Sequence, residues 1–215
     1  YIVNTSKKKI VQTIKLKDFD AIYELDVAPD GKSIVFAGQK NMQCDLYLYN
    51  LETKELQQLT DDYYNDLQPR FAPDGNSIVF ASERSQKEPE FPNRLFSHLN
   101  QNIFHLNLNN GICTQLTLET KDCGYPSLDA SGTKLYFVSS IDGVSNLFML
   151  NLNSAQKAKV TNVLAGVYSA DISPNGKQIV LSNYFQDAWN IYFTEIQTEN
   201  LSFIDYYPPQ FVKLK

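Results

Sequence analysis

Histidine is nearly absent from this sequence, and its scarcity limits the chemistry that the chain can carry out. His98 and His105 are the only histidines among 215 residues, and His105 stands in an alternating, strand-like run. A zinc site with three histidines, or a relay of several imidazoles, cannot be built from them. The motifs G-x-S-x-G, G-x-x-x-x-G-K-S/T and H-E-x-x-H are missing as well. We therefore expect no complete active site, no cofactor and no metal ion.

Cysteines, basic residues and long apolar runs are also few. Cys44, Cys113 and Cys123 form no C-x-x-C pair and are too few for a disulfide framework. The net charge is −5 and the only basic run is 7–9. The sequence therefore predicts no basic surface of the kind that binds nucleic acid, and no nucleic-acid partner is expected. No stretch reaches the roughly 18 apolar residues that a membrane span requires, so no transmembrane segment is expected.

What the sequence does contain is one turn motif repeated four times. Its copies are Ala28-Pro29-Asp30-Gly31-Lys32, Ala72-Pro73-Asp74-Gly75-Asn76, Ala130-Ser131-Gly132-Thr133-Lys134 and Ser173-Pro174-Asn175-Gly176-Lys177. The glycines are 44, 57 and 44 residues apart. Proline presets the first corner of a type I turn, Asp or Asn can bond its own backbone, and glycine accepts the left-handed conformation that follows. The motif therefore predicts a β-hairpin in each repeat.

Strand-like runs surround every turn. A β-rich run follows it, then a second run that starts with Asp or Asn, and three repeats close on Leu59-Thr60, Leu116-Thr117 or Val160-Thr161. With one inner strand before the turn, each repeat predicts a four-stranded antiparallel sheet of about 44 residues, the length of one propeller blade. A sheet with two apolar faces must pack against its neighbours, and radial packing leaves only short edges. The predicted fold is therefore an all-β propeller.

This combination of motifs resembles the TolB-like propeller repeat, a relative of WD-type repeats. The resemblance covers residues 20–205 and rests on the inner strand, the S/A-P-D/N-G-K turn, the N/D-I/L-Y/F strand and the terminal L-T. It implies a β-propeller that works in the bacterial periplasm or elsewhere in the cell envelope. Because such repeats serve many roles, it does not by itself imply a ligand.

The repeats divide the chain into four blades and part of a fifth. The predicted segments are an outer hairpin of a preceding, partial blade at 1–18, blades at 19–61, 62–118, 119–162 and 163–206, and a tail at 207–215. The second blade carries an insertion at 83–101, and 201–204 is predicted as the last outer strand. TolB-like propellers usually close with six blades or more, so upstream sequence, a partner chain or an open arc is expected to supply the rest. Alternatively, the first hairpin closes a smaller ring by pairing with the last blade.

Candidate partner-binding residues come from the loops at one end of the predicted blades. Tyrosine recurs at the start of each inner strand, where it can either fill the wedge between blades or form an aromatic ring around the channel. The insertion mixes arginine with aromatics, as interface anchors do. Asp61, Asp66 and other loop acids at that end are either solvated or attract a cation or basic partner. The predicted partner-binding set is Tyr64, Arg84, Phe91, Arg94, Phe96, Tyr125, Tyr168 and Trp189.

Two functions from different classes are compatible with these observations. The first is a non-catalytic propeller scaffold that binds a protein, a peptide or a glycan through its loop face, within a larger envelope assembly. The second is the propeller domain of a prolyl-oligopeptidase-like serine peptidase whose catalytic domain lies outside this chain. A G-x-S-x-G segment beyond Lys215 would distinguish the second from the first.

Overall fold

The computed structural model describes residues 1–84, 100–173 and 175–196. These residues form seventeen β-strands and contain no α-helix. Accordingly, no helix in the described ranges is long and apolar enough to cross a membrane. All strand pairs are antiparallel, and the strands are grouped into five separate sheets.

The first sheet is a hairpin, and the next two are complete four-stranded blades. The hairpin consists of β1 (Ile2–Asn4) and β2 (Lys9–Gln12). The first blade consists of β3 (Ala21–Val27), β4 (Ser33–Lys40), β5 (Gln43–Asn50) and β6 (Leu56–Gln58). The second blade consists of β7 (Asp66–Phe71), β8 (Ser77–Ser82), β9 (Asn102–Asn107) and β10 (Cys113–Gln115). In both blades the strands pair in chain order.

The third blade repeats this order, and the fourth has three strands in the described residues. The third blade consists of β11 (Cys123–Leu128), β12 (Lys134–Ser139), β13 (Asn146–Asn151) and β14 (Lys157–Lys159). The fourth consists of β15 (Ser169–Ile172), β16 (Gln178–Phe185) and β17 (Ala188–Glu195). The outer strand predicted at 201–204 lies outside the described residues. The propeller of four repeats with a partial blade before them is confirmed.

The turn between the first and second strands has the predicted conformation in every blade. Gly31, Gly75, Gly132 and Gly176 have φ between 68° and 72°. Each donates its N–H to the carbonyl three residues earlier, at 2.8 or 2.9 Å. In the third blade, which lacks the Pro-Asp pair, the carboxylate of Asp129 accepts the N–H groups of residues 133 and 134 at 2.9 Å. A different acid therefore stabilises the same turn.

The threonine that ends the first three repeats links the loop after the fourth strand to the third strand by hydrogen bonds. In the second blade, Thr117 Oγ1 accepts the N–H of Ile103 at 2.8 Å and donates to Asn102 Oδ1 at 2.9 Å. In the third blade, Thr161 makes the same link with Asn146 at 3.0 Å. These threonine side chains satisfy backbone donors that the short fourth strand does not reach.

The apolar core lies between blades rather than inside any one of them. In the first interface, Val35 and Ala37 of β4 pack against Ile78 and Phe80 of β8, and all four are fully buried. The next two interfaces use equivalent pairs, Val79 and Ala81 against Leu135 and Phe137, then Tyr136 and Val138 against Ile179 and Leu181. Because a buried Phe or Ile contributes about 2 to 3 kcal/mol, each blade is stabilised mainly by its neighbours.

The blades are arranged as an arc around a common axis. The inner strands pack in chain order, β3 on β7, β7 on β11 and β11 on β15. The hairpin β1–β2 faces the first blade across an apolar groove, and Ile14 and Leu16, which follow the hairpin, pack on Phe36, Tyr47 and neighbouring apolar residues. Within the described ranges it pairs with no strand of the fourth blade.

Candidate functional site

The inner strands surround an axial cavity of about 300 Å³. β3, β7 and β11 each carry a β-bulge at the equivalent place, whereas β15 pairs without one. A bulge turns an extra side chain away from the regular alternation of the strand. Four repeat-equivalent side chains line the cavity as an upper layer, namely Glu24, Gln68 and Tyr125 from the bulged strands and Ser169 from β15.

A second layer of equivalent residues lies two positions further along each inner strand. It consists of Asp26, Arg70, Ser127 and Asp171. The Arg70 guanidinium lies 3.5 Å from Asp26 Oδ1 and 3.3 Å from Asp171 Oδ2, so it joins the first and fourth blades to the second. Ser127 Oγ donates to Asp171 Oδ1 at 3.4 Å. This network contains charges from three blades and was not among the predicted sites.

The upper layer is held in place by contacts between neighbouring blades. Gln68 Oε1 accepts the N–H of Tyr125 at 2.7 Å. Gly124 permits this approach, because a Cβ atom at that position would lie only 2.8 Å from Gln68 Oε1. Glu24 lines the cavity and makes no hydrogen bond or ion pair with any described residue. The axial site therefore combines three carboxylates with one guanidinium.

An aromatic cluster adjoins this cavity on the third and fourth blades. Ring centroids are 5.9 Å apart for Tyr125 and Tyr168, 5.0 Å for Tyr168 and Trp189, and 5.5 Å for Tyr184 and Trp189. We call Tyr125, Tyr168, Tyr184 and Trp189 the mouth aromatics. The last three are 59%, 53% and 61% exposed respectively, which is high for rings that also contact one another. Burial, together with the hydrogen bond and charge of Tyr168, raises the pKa of Tyr125.

The hairpin of the fourth blade presents two of these rings. Gln186 and Asp187 at its tip have φ of 52° and 59°, the tight two-residue turn that matches the twist of a hairpin. Tyr184 and Trp189 are directly opposite each other in the register. The same sheet face continues into Ile191, which lines the axial cavity. Aromatic, aliphatic and charged surfaces are thus contiguous.

The other predicted site residues lie elsewhere. Tyr64 is half-buried beside the start of β7, where its carbonyl accepts a hydrogen bond from Gln43 Nε2 at 2.6 Å. It is not the repeat equivalent of Tyr125, because that position in the second blade is Gln68. Phe91, Arg94 and Phe96 lie outside the described residues. The structure therefore brings together Tyr125, Tyr168 and Trp189, but it does not bring Tyr64 to them.

Arg84 is engaged inside the protein. Its guanidinium contacts the fully buried carboxylate of Asp66 and lies 3.1 Å from Asp62 Oδ2. It also stacks over the rings of Phe80 and Phe104, with 5.1 and 5.6 Å to their centroids. Only 14% of the side chain is exposed, so most of its binding capacity is already used. Its partner-binding role stays a prediction.

A buried carboxylate pair adjoins this arginine. Asp45 stands where the second and third blades have Asn102 and Asn146, and only 4% of it is exposed. Burial, followed by the charges of Asp66 and nearby acids, raises the pKa of Asp45 to about 6. Burial also raises the pKa of Asp66, against the opposing effect of Arg84. Within the described ranges, no group of three or more His, Cys, Asp or Glu side chains is placed to hold a metal ion.

No family model matches the chain, and no curated protein matches it in sequence. Among solved structures, a putative TolB from Agrobacterium tumefaciens aligns with a TM-score of 0.71 and 17% identity, over 86% of this chain and 65% of that one. TolB from Acinetobacter baumannii aligns with a TM-score of 0.66 and 21% identity, over 84% of this chain and 41% of that one. A puromycin hydrolase aligns with a TM-score of 0.60 and 16% identity, over 82% of this chain and 27% of that one.

The chain spans less than two thirds of each of these structures. At such identities the likeness concerns the fold and leaves ligands and activities open. It agrees with the antiparallel blades described above, and it confirms the resemblance on which the sequence interpretation rests. The chain therefore has the TolB-like β-propeller fold.

Proposed function

We propose that this propeller is a non-catalytic scaffold that binds a peptide segment of a protein partner at the mouth aromatics and the adjoining axial cavity. The observation that carries the proposal is the contiguity of three exposed, mutually contacting rings with a cavity that contains free and paired charges. Tyr and Trp are the residues that contribute most to protein recognition, since they bury a large area at a small cost in conformational entropy.

The charges of the axial cavity favour a basic partner residue. Three carboxylates face one guanidinium there, and Glu24 has no ion-pair partner in the described part of the chain. A Lys or Arg side chain of the partner can therefore enter beside Glu24 while an aromatic or proline residue packs on Trp189. A neutral glycan could use the rings and donate hydroxyl hydrogen bonds to the carboxylates, but it would not neutralise their charge, which is why we favour a peptide.

The buried thiols support a non-catalytic role. Burial raises the pKa of the Cys44 and Cys123 thiols to about 12, so both remain protonated and poorly nucleophilic at neutral pH.

The fold resemblance to TolB proteins supports an extracytoplasmic location, which protease accessibility in spheroplasts would test. Protection of the protein from added protease until the inner membrane is broken would refute that location.

The binding proposal can be tested with a displayed library of random 12-residue peptides, selected on the intact protein. We expect the selected sequences to combine Lys or Arg with an aromatic residue or proline. Fluorescence polarisation should show that Tyr168→Ala and Trp189→Ala each weaken these peptides at least tenfold, which corresponds to about 1.4 kcal/mol. Tyr63→Ala is the matched control, because Tyr63 is 98% exposed and lies in the loop before the second blade, whereas the mouth aromatics belong to the third and fourth blades.

Glu24→Gln separates the two parts of the site. It should reduce the preference for a basic residue while leaving the contribution of the rings intact. Peptides that bind both ring variants as tightly as the unmodified protein would refute the proposal. Selective binding of arrayed glycans through the same rings would replace the peptide by a sugar.

One alternative is supported by the alignment with puromycin hydrolase, whose propeller-containing structure shares this fold. In this view the chain is the propeller domain of a serine peptidase. It requires a G-x-S-x-G segment in the natural protein beyond Lys215, and a natural protein without one would eliminate it.

A further inference from the structure

The loops that lead from one blade to the next form a continuous face at one end of the propeller. Because the strands of a blade are antiparallel, the loops after the second and the fourth strand lie at this end, and the glycine turns lie at the other. Asn100, in the loop after β8, donates its Nδ2–H to the carbonyl of Thr120 at 2.7 Å. Likewise the carbonyl of Ser145 accepts the N–H of Val167 at 2.7 Å. The loops that cross the three blade boundaries, which we call the boundary loops, are 59–65, 116–122 and 160–168.

Each boundary loop carries a large apolar residue that is almost fully exposed. Tyr63, Leu118 and Leu164, which we call the boundary tips, are 98%, 87% and 99% exposed. Each tip lies between two blades that are both present, so its exposure does not depend on a blade before the first or after the fourth. In the described loops at the opposite end, Ile112 is the one large apolar residue that is exposed, at 60%. The apolar tips are therefore a property of one end of the propeller.

The position of the tips indicates a broad contact surface. A single exposed apolar residue is common on soluble proteins and needs no explanation. Three of them in the same loop of successive repeats, at one end of the molecule, indicate a surface that another molecule covers. A short peptide at the mouth aromatics lies on the third and fourth blades and does not reach the first boundary loop. A folded protein does, since a standard interface buries about 800 Å² on each partner.

The charge of the boundary loops restricts the kind of molecule that fits them. They contain four acidic residues and one basic residue, namely Asp61, Asp62, Glu119, Asp122 and Lys121. An acidic surface repels the anionic lipids of a membrane and attracts a basic protein surface. The partner that complements this face therefore combines positive charge with apolar groups.

Other parts of this chain do not supply that charge. The stretches 85–99 and 197–215, which lie outside the described residues, each contain two basic and two acidic residues. The basic run 7–9 belongs to the N-terminal hairpin, which faces the first blade. Charge complementarity therefore favours a separate protein over a segment of this sequence.

We propose that the boundary loops are the docking face for a folded protein whose contact surface is basic and has an apolar hollow for each tip. The proposal rests on the proposed function, because the peptide segment bound at the mouth aromatics belongs to this same partner. It extends the interface across the first and second boundaries, which the selected 12-residue peptides do not reach. Tyr63 accordingly contributes to binding of the whole partner and not to binding of those peptides.

Photocrosslinking of the natural protein in its native cells identifies the partner. The photoreactive residue p-benzoylphenylalanine is placed singly at positions 63, 118 and 164, and at position 112 as the control from the opposite end. We expect one and the same protein to be crosslinked from the three boundary tips and not from position 112. Mass spectrometry of the crosslinked peptides should place the contacts in a segment of that protein where Lys and Arg outnumber Asp and Glu.

Binding of the purified partner then tests the tips and the charge separately. Leu118→Ser and Leu164→Ser should each weaken the complex at least tenfold in biolayer interferometry, whereas Ile112→Ser should leave the affinity unchanged. All three positions are exposed, so the variants should keep the thermal stability of the unmodified protein, which circular dichroism would confirm. The affinity should fall at least fivefold when the salt concentration rises from about 50 mM to about 300 mM, because salt screens the attraction between exposed charges.

Several results would overturn the proposal. They are the absence of crosslinks from the boundary tips, equal crosslinking from position 112, and crosslinks to lipid, to a second copy or to another segment of the same chain. A complex that Tyr168→Ala weakens but Leu118→Ser and Leu164→Ser do not would refute the docking face and leave the peptide site intact. The reverse pattern would retain the docking face and refute the peptide site.

Discussion

Replacing Asp45 with asparagine should stabilise the protein, and only above the pH at which this carboxylate ionises. The equivalent residues of the next two blades, Asn102 and Asn146, use Oδ1 as an acceptor for a threonine hydroxyl. The Asn146 amide also donates to the carbonyl of Val144 at 3.2 Å. Asp45 cannot donate in its ionised form, and its buried Oδ1 has no hydrogen-bond partner among the described residues.

The magnitude follows from the pKa of Asp45, which burial and the charge of Asp66 raise from its ordinary value of 3.8 to about 6. Each tenfold change in proton affinity corresponds to about 1.4 kcal/mol, so ionisation of Asp45 costs the folded state up to about 3 kcal/mol. Asparagine avoids this cost but gives up the bond that Gln58 Nε2 donates to the carboxylate at 3.2 Å. We therefore expect a net gain of about 2 kcal/mol.

The sign of the pH dependence is fixed by the same pKa. Between about pH 4 and pH 6 the folded protein holds a proton on Asp45 that the unfolded chain has released. The contribution of Asp45 to stability is therefore lost as the pH rises through this window, and it stays lost above pH 6. The Asp45→Asn variant should be about 1 kcal/mol less stable than the unmodified protein near pH 4, where only the lost Gln58 bond counts, and more stable than it at pH 7.5.

Urea unfolding at pH 4.0 and pH 7.5, followed by circular dichroism, measures both values. Asn102→Asp is the reciprocal control, since it puts a carboxylate at the equivalent buried position of the second blade and should destabilise the protein at pH 7.5. A variant Asp45→Asn that is less stable than the unmodified protein at pH 7.5, or that gains equally at both pH values, would refute the reasoning.

Three further predictions concern the axis and the thiols. Arg70→Met should lower the free energy of unfolding by about 1 kcal/mol at neutral pH, and by less at high salt. Lys32→Met, which breaks an exposed ion pair, is the control and should change this free energy by less than about 0.5 kcal/mol. Equal effects of the two variants would contradict the axial network. Gly124→Ala should cost about 1 kcal/mol in chemical unfolding, because the Gln68 side chain must move away from the new Cβ and give up the hydrogen bond that it accepts from Tyr125. The cost should be smaller in a Gln68→Ala background, and additive losses would argue against the contact. Cys113 is the one exposed cysteine of the three, so a maleimide should label one thiol of the native protein. Mass spectrometry should show that Cys113→Ser removes this labelling. Fast labelling of a second thiol would contradict the burial of Cys44 and Cys123.

The repeats and their turns could be predicted from the sequence because local chemistry determines them. The glycines of the four turns need positive φ, and the φ values near 70° at Gly31 and Gly176 confirm that requirement. Stacking of the sheets followed from the same pattern, since each strand run has apolar residues on both faces. The substitute turn of the third blade needed Asp129, which precedes the motif and was therefore overlooked.

The axial site could not be predicted because it depends on bulges and on contacts between distant repeats. Tyr64 and Tyr125 both precede or begin an inner strand, yet a bulge places Tyr125 on the axis and its equivalent is Gln68. Arg70 looks like an ordinary polar strand residue until three blades surround it. One signal was present, since Arg70 and Asp171 both lie five residues before a turn glycine.

The packing of each blade on its neighbours alone also determines how the array comes apart. β17 is exposed along nearly its whole length, whereas β8 of the second blade is buried throughout. Local opening should therefore require less free energy at an exposed strand such as β17 than at β8, so amide protection should be higher in the second blade than in the fourth. Such an arrangement lets terminal blades be gained, lost or exchanged over evolutionary time without disturbing the central pair.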